Sequence, residues 1–524
     1  MNRIVITAAL LAVAVSAPSL GRAQDKPKMT PADWVKQAVA AEGGVAALSG
    51  LKTLTIKADV QHWEPEQSIV AGGPPRPIAS STVTFSWDLE KGARSGNWDR
   101  DLKYPFPGHE RYIEMVFPTM GAITDEKSGQ RPMAGQRLAF QLREMERSSP
   151  LLLLKAMQTK GSIKGAAAQK MGGKTYPAVV FTDGPSKFTI LFDEQTHLPA
   201  AIRTSEDDDV HGDGHYDLIL GDWKSVGGAK IAHSLHYTFN GLDKVTMQYK
   251  DVTPNGAFPP DAFQLGDVAR AGARPPATGD IPWQAILVRL NFGRYDDVQA
   301  EKDAAEGTIM KLEAIAPNVQ QIQGRSHNSL IVAMPTYLVV FDAPQNEDYA
   351  KKAIALAKQT FPGKPIKYLV LTHHHMDHIG GARTYVAEGA TVIVGKGDKA
   401  HLEKDFRAPH TMHPDALQTQ KPRRAIKVVE VADTMSLKEG GSTVSVYCIP
   451  NAHAEGMLIG YVQPENVVWV TDLYSPGRDK VKTPNNEAFY NTIKKLGLSV
   501  SKYAGGHGVW NTQADFDAVI AGKS

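Results

Sequence analysis

A run Thr-His-His-His-Met-Asp-His at residues 372–378 constrains this chain more than any other feature of its sequence. The run has the spacing H-x-H-x-D-H and comes directly after an apolar stretch. If that stretch is a β-strand, the two-residue period of strands puts His373 and His375 on the same side of the chain. Asp377 and His378 then follow in a turn and can face a second point in space. Imidazole and carboxylate are typical zinc ligands, so one short loop can offer ligands to two adjacent metal ions.

Further metal-binding residue types follow this loop. His453 lies in Pro-Asn-Ala-His-Ala-Glu-Gly, Asp472 follows an apolar run, and His507 lies in Gly-Gly-His-Gly. Upstream of the loop, another apolar stretch ends in Asp342. In this order the chain resembles the metallo-β-lactamase superfamily, whose members carry a structural Asp, an H-x-H-x-D-H loop, a lone His, an Asp after a buried strand and a last His. The resemblance covers roughly residue 308 to the C-terminus.

The resemblance implies a fold, a cofactor and a set of roles. The expected fold is an αβ/βα sandwich, in which two central sheets are flanked by helices. The expected cofactor is Zn²⁺, two ions per chain. One ion would be held by His373, His375 and His453 and the other by Asp377, His378 and His507, with Asp472 bridging them. A metal-bridged water with its pKa lowered towards about 7 would be the nucleophile, and the catalytic residue Asp377 would orient it or shuttle its proton.

The expected activity is hydrolysis of a small molecule. The diiron flavoproteins of the superfamily usually carry Glu at the position of His375, and His fits zinc hydrolysis better. The substrate would be an ester, lactone, lactam, or sulfate or phosphate ester. The motif around His453 departs from the usual G-H-T-x-G, and Asp472 is generally lacking in antibiotic-hydrolysing members, so both point away from them. Two alternatives stay open: a mononuclear iron thiol oxygenase, and a periplasmic carrier of an apolar ligand with a degenerate metal domain.

Composition and the N-terminus predict where the protein works. The chain has 524 residues and a formal net charge of +2 with no block of Lys or Arg, which argues against nucleic acid as a partner. Arg3, an apolar segment and a small-x-small site ending at Ala23 predict a signal peptide, 1–23, and export to the periplasm. No later run is long enough for a membrane span. The single cysteine, Cys448, allows no internal disulfide and is interpreted as a buried strand residue.

The remaining sequence predicts a second folded unit before the metal domain. Residues 24–267 begin with a helical pattern and continue in alternating apolar and polar strands, so we expect a mostly antiparallel β domain. This region weakly resembles the half-barrel of periplasmic lipoprotein carriers. Residues 268–307 are predicted to be a linker or connector, and 308–524 the hydrolase domain. The whole is an α+β chain that ends in an α/β domain, and the sequence does not indicate an oligomeric state.

Three polar segments have two interpretations each. His211 to His215 has metal-binding residue types, but its glycines and the acidic run 206–209 favour an exposed loop. Residues 401–420, which include two further histidines, can line the pocket as a mobile loop or have no role. Three basic residues after Asp472 can meet an anionic substrate group or simply be solvated: Arg478, Lys480 and Lys482.

Overall fold

The computed structural model describes residues 29–105, 107–278, 310–324 and 326–523. The predicted signal peptide and most of the predicted linker therefore lie outside the described residues. None of the described helices is long and apolar enough to cross a membrane. Two regions follow one another along the chain: a large antiparallel sheet, and a pair of smaller sheets that carry the histidine loop.

The first region is built from long strands with few helices. Its helices are α1 (Pro31–Ala41), α2 (Gly44–Ser49), α3 (Gly135–Ser148), α4 (Leu152–Gln158) and α5 (Asp267–Ala271). Its strands are β1 (Thr53–Glu64), β2 (Arg76–Asp88), β3 (Ala93–Leu102), β4 (Gly108–Phe117), β5 (Met120–Asp125), β6 (Gly129–Pro132), β7 (Ile163–Gly165), β8 (Gln169–Met171), β9 (Lys174–Tyr176), β10 (Ala178–Asp183), β11 (Ser186–Phe192), β12 (Pro199–Asp208), β13 (Gly212–Val226), β14 (Ala229–Phe239) and β15 (Leu242–Pro254).

Thirteen of these strands form one sheet in the order β6-β5-β4-β3-β2-β1-β15-β14-β13-β12-β11-β10-β7, and β8 pairs with β9. All the pairings are antiparallel, as the alternating sequence predicts. In β1 every second residue is buried, so one face of the sheet forms a core with α1, α3 and α4. The expected mostly antiparallel β domain is therefore confirmed.

The second region has two sheets packed face to face. The seven-stranded sheet contains, in spatial order, β16 (Lys311–Ala316), β17 (Val319–Gln323), β18 (Asn328–Ala333), β19 (Leu338–Phe341), β20 (Ile366–Val370), β21 (Thr391–Gly395) and β22 (Val428–Val431). The six-stranded sheet contains β23 (Thr434–Glu439), β24 (Ser442–Cys448), β25 (Leu458–Gln463), β26 (Val467–Val470), β27 (Lys502–Gly505) and β28 (Trp510–Thr512).

Helices cover the outer faces of both sheets. They are α6 (Glu347–Thr360), α7 (Met376–Ile379), α8 (Ala382–Glu388), α9 (Lys399–Phe406), α10 (Ala416–Thr419), α11 (Pro484–Lys495) and α12 (Gln513–Ile520). One apolar core lies between the sheets and one lies under each helical layer. A Cβ on Gly460 would lie 2.4 Å from the ring of Phe341, so this glycine permits the close approach of the two sheets. The layers are helix, sheet, sheet, helix, and the predicted αβ/βα sandwich is confirmed.

The sandwich brings its polar loops to one edge. Strands β19 to β22 are parallel, and so are β26 and β27. Asp342 follows β19, the loop 372–378 follows β20, Asp472 follows β26, and His507 lies just beyond β27. Because the carboxyl ends of parallel strands meet at one edge, residues far apart in the sequence converge there.

The interpretation of His211 to His215 as an exposed loop was wrong. Residues 206–208 and 212–214 pair as the end of the β12–β13 hairpin, and the side chain of Glu206 is fully buried. The acidic side chains are not solvated because they find donors inside the protein: Arg143 donates to Glu206 at 2.8 Å, and Asp208 accepts the backbone N–H groups of Val210 and His211. The hairpin end packs on the second region, where Asp213 N donates to the carbonyl of Pro409 at 2.8 Å.

The described start of the predicted linker is ordered against the β domain. Ala269 of α5 is fully buried, and Ala277 N donates to the carbonyl of Gly135 at 2.9 Å. The domain boundary itself stays a prediction, because residues 279–307 lie outside the described part of the chain. Cys448 ends β24, as expected, but it is half-buried.

Candidate metal centre

Three histidine rings converge at the edge where the strands end. The ring centroids of His373 and His375 lie 4.4 Å apart, and that of His453 lies 5.0 Å and 4.6 Å from them. Three ring nitrogens are buried and have no hydrogen-bond partner: Nε2 of His373, Nδ1 of His375 and Nε2 of His453. One nitrogen from each ring lies within 4.8 Å of the others. Buried polar atoms are rarely left without partners, so this donor set fits a divalent cation.

The environment favours the neutral form of these three rings. Burial, and then the neighbouring imidazoles, hold the pKa of His373 and of His375 well below the usual range, and burial lowers the pKa of His453. A neutral imidazole has a lone pair to offer a metal, whereas a protonated one has none.

A second group lies beside the first. Ligand atoms of Asp377, His378 and His507 cluster within 4.8 Å of one another, together with an atom of His327. His327 was missed by the sequence analysis: its Nε2 lies 3.0 Å from Asp377 Oδ2, although the two residues are 50 positions apart. The signal that could have found it is its place at the start of β18, at the same edge of the sheet as the end of β19.

Asp472 lies between the two groups. Its Oδ2 is 3.0 Å from His378 Nε2 and 3.6 Å from His373 Nε2, and its Oδ1 is 3.1 Å from His507 Nε2. Its φ of 55° is in the left-handed region that Asp tolerates better than most residues, so the backbone there is bent to aim the carboxylate at this edge. This is the placement expected of a bridging carboxylate.

Opposite charges are matched within the cluster. Burial disfavours ionisation of Asp472, but His378, followed by His453 and His507, holds the pKa of this carboxyl well below its usual range. Burial likewise opposes protonation of His378, but Asp472 and Asp377 hold its pKa well above the usual range. The carboxylates of Asp377 and Asp472 thus favour a positive charge beside His378, and either a proton or a metal ion can supply that charge.

Asp342 supports the loop 372–378, as the resemblance implies for a structural Asp at this position. It is fully buried, and its Oδ1 accepts hydrogen bonds from the backbone N and the hydroxyl of Thr372, both at 2.8 Å. Its Oδ2 accepts from Trp469 Nε1 at 3.2 Å. This carboxylate therefore ties the histidine loop to the second sheet.

The β domain also contributes to this site, which the sequence did not indicate. Gln67 Nε2 donates to Asp377 Oδ1 at 2.7 Å, and the hydroxyl of Tyr104 donates to Gln67 Oε1 at 2.7 Å. The carbonyl of Ser68 accepts from His375 Nε2 at 2.9 Å. A carbonyl can only accept, so Nε2 of His375 carries the proton and Nδ1 keeps the lone pair. The tautomer of His375 is thus set by the other domain.

The structure brings all seven predicted ligands together: His373, His375, Asp377, His378, His453, Asp472 and His507. Their role as metal ligands stays a prediction. The segment 401–420 lies instead against the β domain, where the Thr411 hydroxyl donates to Asp213 at 2.5 Å. The three basic residues that follow Asp472 are exposed: Arg478, Lys480 and Lys482.

Comparison with known proteins identifies the region that carries the site. Residues 322–478 match the family model of the metallo-β-lactamase superfamily, which confirms the expected family for this domain. An (R)-specific secondary-alkylsulfatase of Pseudomonas sp. is 31% identical over 143 residues, which are 25% of this chain and 21% of that protein. An alkyl/aryl-sulfatase, BDS1, of Saccharomyces cerevisiae is 32% identical over 91 residues, 17% of this chain and 14% of that protein. The chain thus spans only about a fifth or less of the length of these curated relatives.

Solved structures with a similar arrangement include two metallo-β-lactamases. The protein from Pontibacter korlensis has 16% identity and a TM-score of 0.33, with 41% of this chain and 99% of that chain covered. The protein from Hirschia baltica has 15% identity and a TM-score of 0.32, with 41% and 97% covered. A flavoprotein from Thermotoga maritima has 15% identity and a TM-score of 0.31, with 41% and 61% covered.

Proposed function

We propose that this chain, through its metallo-β-lactamase superfamily domain, is a hydrolase that works with two divalent metal ions, zinc in the first instance. The observation that carries the proposal is the set of three buried ring nitrogens without partners beside a carboxylate, Asp472, which lies 3.6 Å from His373 of the first group and 3.0 Å from His378 of the second. Neutral imidazoles and ionised carboxylates are the donors that catalytic zinc prefers.

Each group of residues has a separate task. His373, His375 and His453 would hold one ion, Asp377, His378 and His507 the other, and Asp472 would contact both. When bound, such ions supply an activated water and polarise the substrate oxygen that develops negative charge. Asp377 would orient the attacking water, and its own orientation is fixed because both of its oxygens already accept hydrogen bonds, from Gln67 and from His327.

The substrate class we favour is a sulfate ester of an alcohol. The support is the identity to two proteins named as alkylsulfatases, over the short shares of their length given above. Other esters, lactones, lactams and phosphate esters should also be tested as substrates, because a metal-activated water can attack them in the same way. Export to the periplasm remains part of the proposal, on the strength of the predicted signal peptide alone.

The two alternatives have less support. A mononuclear iron oxygenase would need one metal group, and the predicted ligands form two adjacent groups. A carrier of an apolar ligand would need a large cavity in the β domain. The cavity described there, lined by Leu54, Trp87 and Leu235 among others, measures about 40 Å³, which is room for water.

The test is metal analysis together with a hydrolysis screen on the zinc-supplemented protein. We expect about two zinc ions per chain, and turnover of alkyl sulfates that a chelator abolishes and zinc restores. Carboxylic esters, lactones and β-lactams complete the panel. One ion or none would contradict the dinuclear site, and stoichiometric iron with thiol oxidation would favour the oxygenase. Hydrolysis of another class would keep the mechanism and change the substrate.

A further inference from the structure

A segment of the β domain is built into the wall of the metal centre. Residues 65–76, called the strap here, join β1 to β2. The strap is held from both sides: the carbonyl of Ile69 accepts from Glu455 N at 2.7 Å, and the carbonyl of Ser68 accepts from His375. Because Glu455 and His375 lie in different loops of the second domain, the strap is fixed relative to both.

The strap ends in a positively charged side chain, Arg76, the first residue of β2. Its Nη2 donates to the main-chain carbonyl of His453, and its guanidinium carbon lies 4.3 Å from the centroid of the Tyr104 ring. Its Nε is buried and has no hydrogen-bond partner. The ring of Tyr104 is 6.2 Å from that of His453. Arg76 therefore lies beside a predicted metal ligand, His453, and still has an N–H group that can donate a hydrogen bond to a substrate.

The contacts within the protein do not balance the charge of Arg76 or use all of its N–H donors. A guanidinium has five N–H donors and a full charge, and half-burying it without an anion is costly. Among the described residues Arg76 forms no ion pair within 4 Å, and its hydrogen bond goes to a neutral carbonyl. The carboxylate whose charge acts on it from farther away, Asp472, is itself a predicted metal ligand. Arg94 in the neighbouring strand is different, because it donates to Gln141 Oε1 at 2.7 Å and is far from the metal edge.

We propose that Arg76 binds the anionic group of the substrate, so that the β domain supplies the anion-binding side of the active site. This inference rests on the proposed function and narrows its substrate class to esters that carry a negative charge next to the scissile bond, namely sulfate and phosphate monoesters. A planar, permanently charged fork matches the oxygens of such groups and is not required by a neutral carboxylic ester.

The anion site is tied to the metal site by hydrogen bonds. Tyr104, on which Arg76 lies, donates to Gln67, and Gln67 donates to Asp377. The distance between the guanidinium and the predicted second metal group is therefore set by packed and hydrogen-bonded side chains. Such fixed spacing suits a site that must hold a charged group while the neighbouring bond is cleaved.

The test measures binding of a substrate mimic that cannot be hydrolysed. Zinc-loaded full-length protein is titrated by calorimetry with octanesulfonate and, separately, with octylphosphonate, which distinguish the sulfate from the phosphate preference. We expect Arg76→Met to weaken binding of the preferred anion about 10- to 100-fold, and Arg76→Lys to weaken it less. Zinc content should stay at the wild-type value in both variants.

The matched control is Arg111→Met, which removes an arginine of the same domain that is exposed and paired with Asp99. It should leave the dissociation constant unchanged. Equal binding by wild type and Arg76→Met at equal zinc content, or no binding of either anion by the wild type, would overturn the inference. The two proposals fail separately. If the protein binds the anion through Arg76 but hydrolyses no substrate, only the proposed function is contradicted. If Arg76→Met hydrolyses charged and neutral esters as fast as the wild type does, only this inference is contradicted.

Discussion

Replacing Gln67 tests whether the β domain is part of the metal site or only lies near it. The amide of Gln67 donates to Asp377 Oδ1 at 2.7 Å and accepts from Tyr104 at 2.7 Å. Gln67→Leu keeps much of the side-chain volume and removes both hydrogen bonds. A hydrogen bond to a charged partner contributes about 1.5–3 kcal/mol, and losing a group that orients a metal ligand typically costs about 10–100-fold in metal affinity. These two estimates agree, since a tenfold change corresponds to about 1.4 kcal/mol.

The effect should be uneven between the two ions. Asp377 belongs to the second predicted group, and the two side-chain hydrogen bonds of Gln67 go to Asp377 and Tyr104, not to the three histidines of the first group. Competition with a chromogenic zinc chelator should therefore show one site weakened about 10–100-fold and the other little changed. The control is Gln248→Leu, which removes a similar hydrogen bond to the exposed carboxylate of Asp222, far from the metal edge. Zinc affinities of Gln67→Leu within a factor of about two of wild type would refute the reasoning.

The remaining predictions concern two carboxylates of the site and one outside it. Asp472→Ala should lower the occupancy of both metal ions in elemental analysis, because its carboxylate contacts both histidine groups; loss of one ion alone would contradict a bridging role. Asp377→Asn keeps the shape and should lower kcat about 10²–10⁴-fold, and full turnover per folded molecule would reject its catalytic role. Burial raises the pKa of Glu42 from its ordinary value of 4.5 to about 8. Between these two pH values the folded protein keeps the proton on this carboxyl, whereas the unfolded chain releases it. The free energy of unfolding should thus fall as the pH rises from about 4.5 to 8, by at most about 5 kcal/mol at about 1.36 kcal/mol per pKa unit. In thermal melts, Glu42→Gln should abolish that fall. Melting temperatures of wild type and variant that change in parallel with pH would contradict the prediction.

The resemblance to the metallo-β-lactamase superfamily implied the sandwich and the seven candidate ligands, and local patterns placed several of these residues at the ends of strands. The loop 372–378 follows a buried strand, so its histidines had to alternate, and Asp342 and Asp472 each end an apolar strand of the kind that meets its neighbours at one edge. In the β domain, the alternation of apolar and polar residues predicted strands that the structure contains, such as β1.

What the sequence could not reveal depends on contacts between distant elements. Gln67, Arg76 and Tyr104 have no local pattern that points to a metal, and their importance comes only from the docking of the strap on the second domain. The acidic run 206–209 misled for a similar reason. Its composition is typical of a solvated loop, but the fold supplies Arg143 as a partner for Glu206.

The strap also determines when the site can be assembled. Gln67 and Asp377 are 310 positions apart, and Ser68 and His375 are 307 apart. At a synthesis rate of about 5–20 residues per second, the strap exists for roughly 15–60 seconds before its partners are made. Because domains fold as units during synthesis, N-terminal ones first, we expect the β domain to fold and to order the strap within that interval. Completion of the metal site is thus a late event in folding, tied to the arrival of the C-terminal half of the chain.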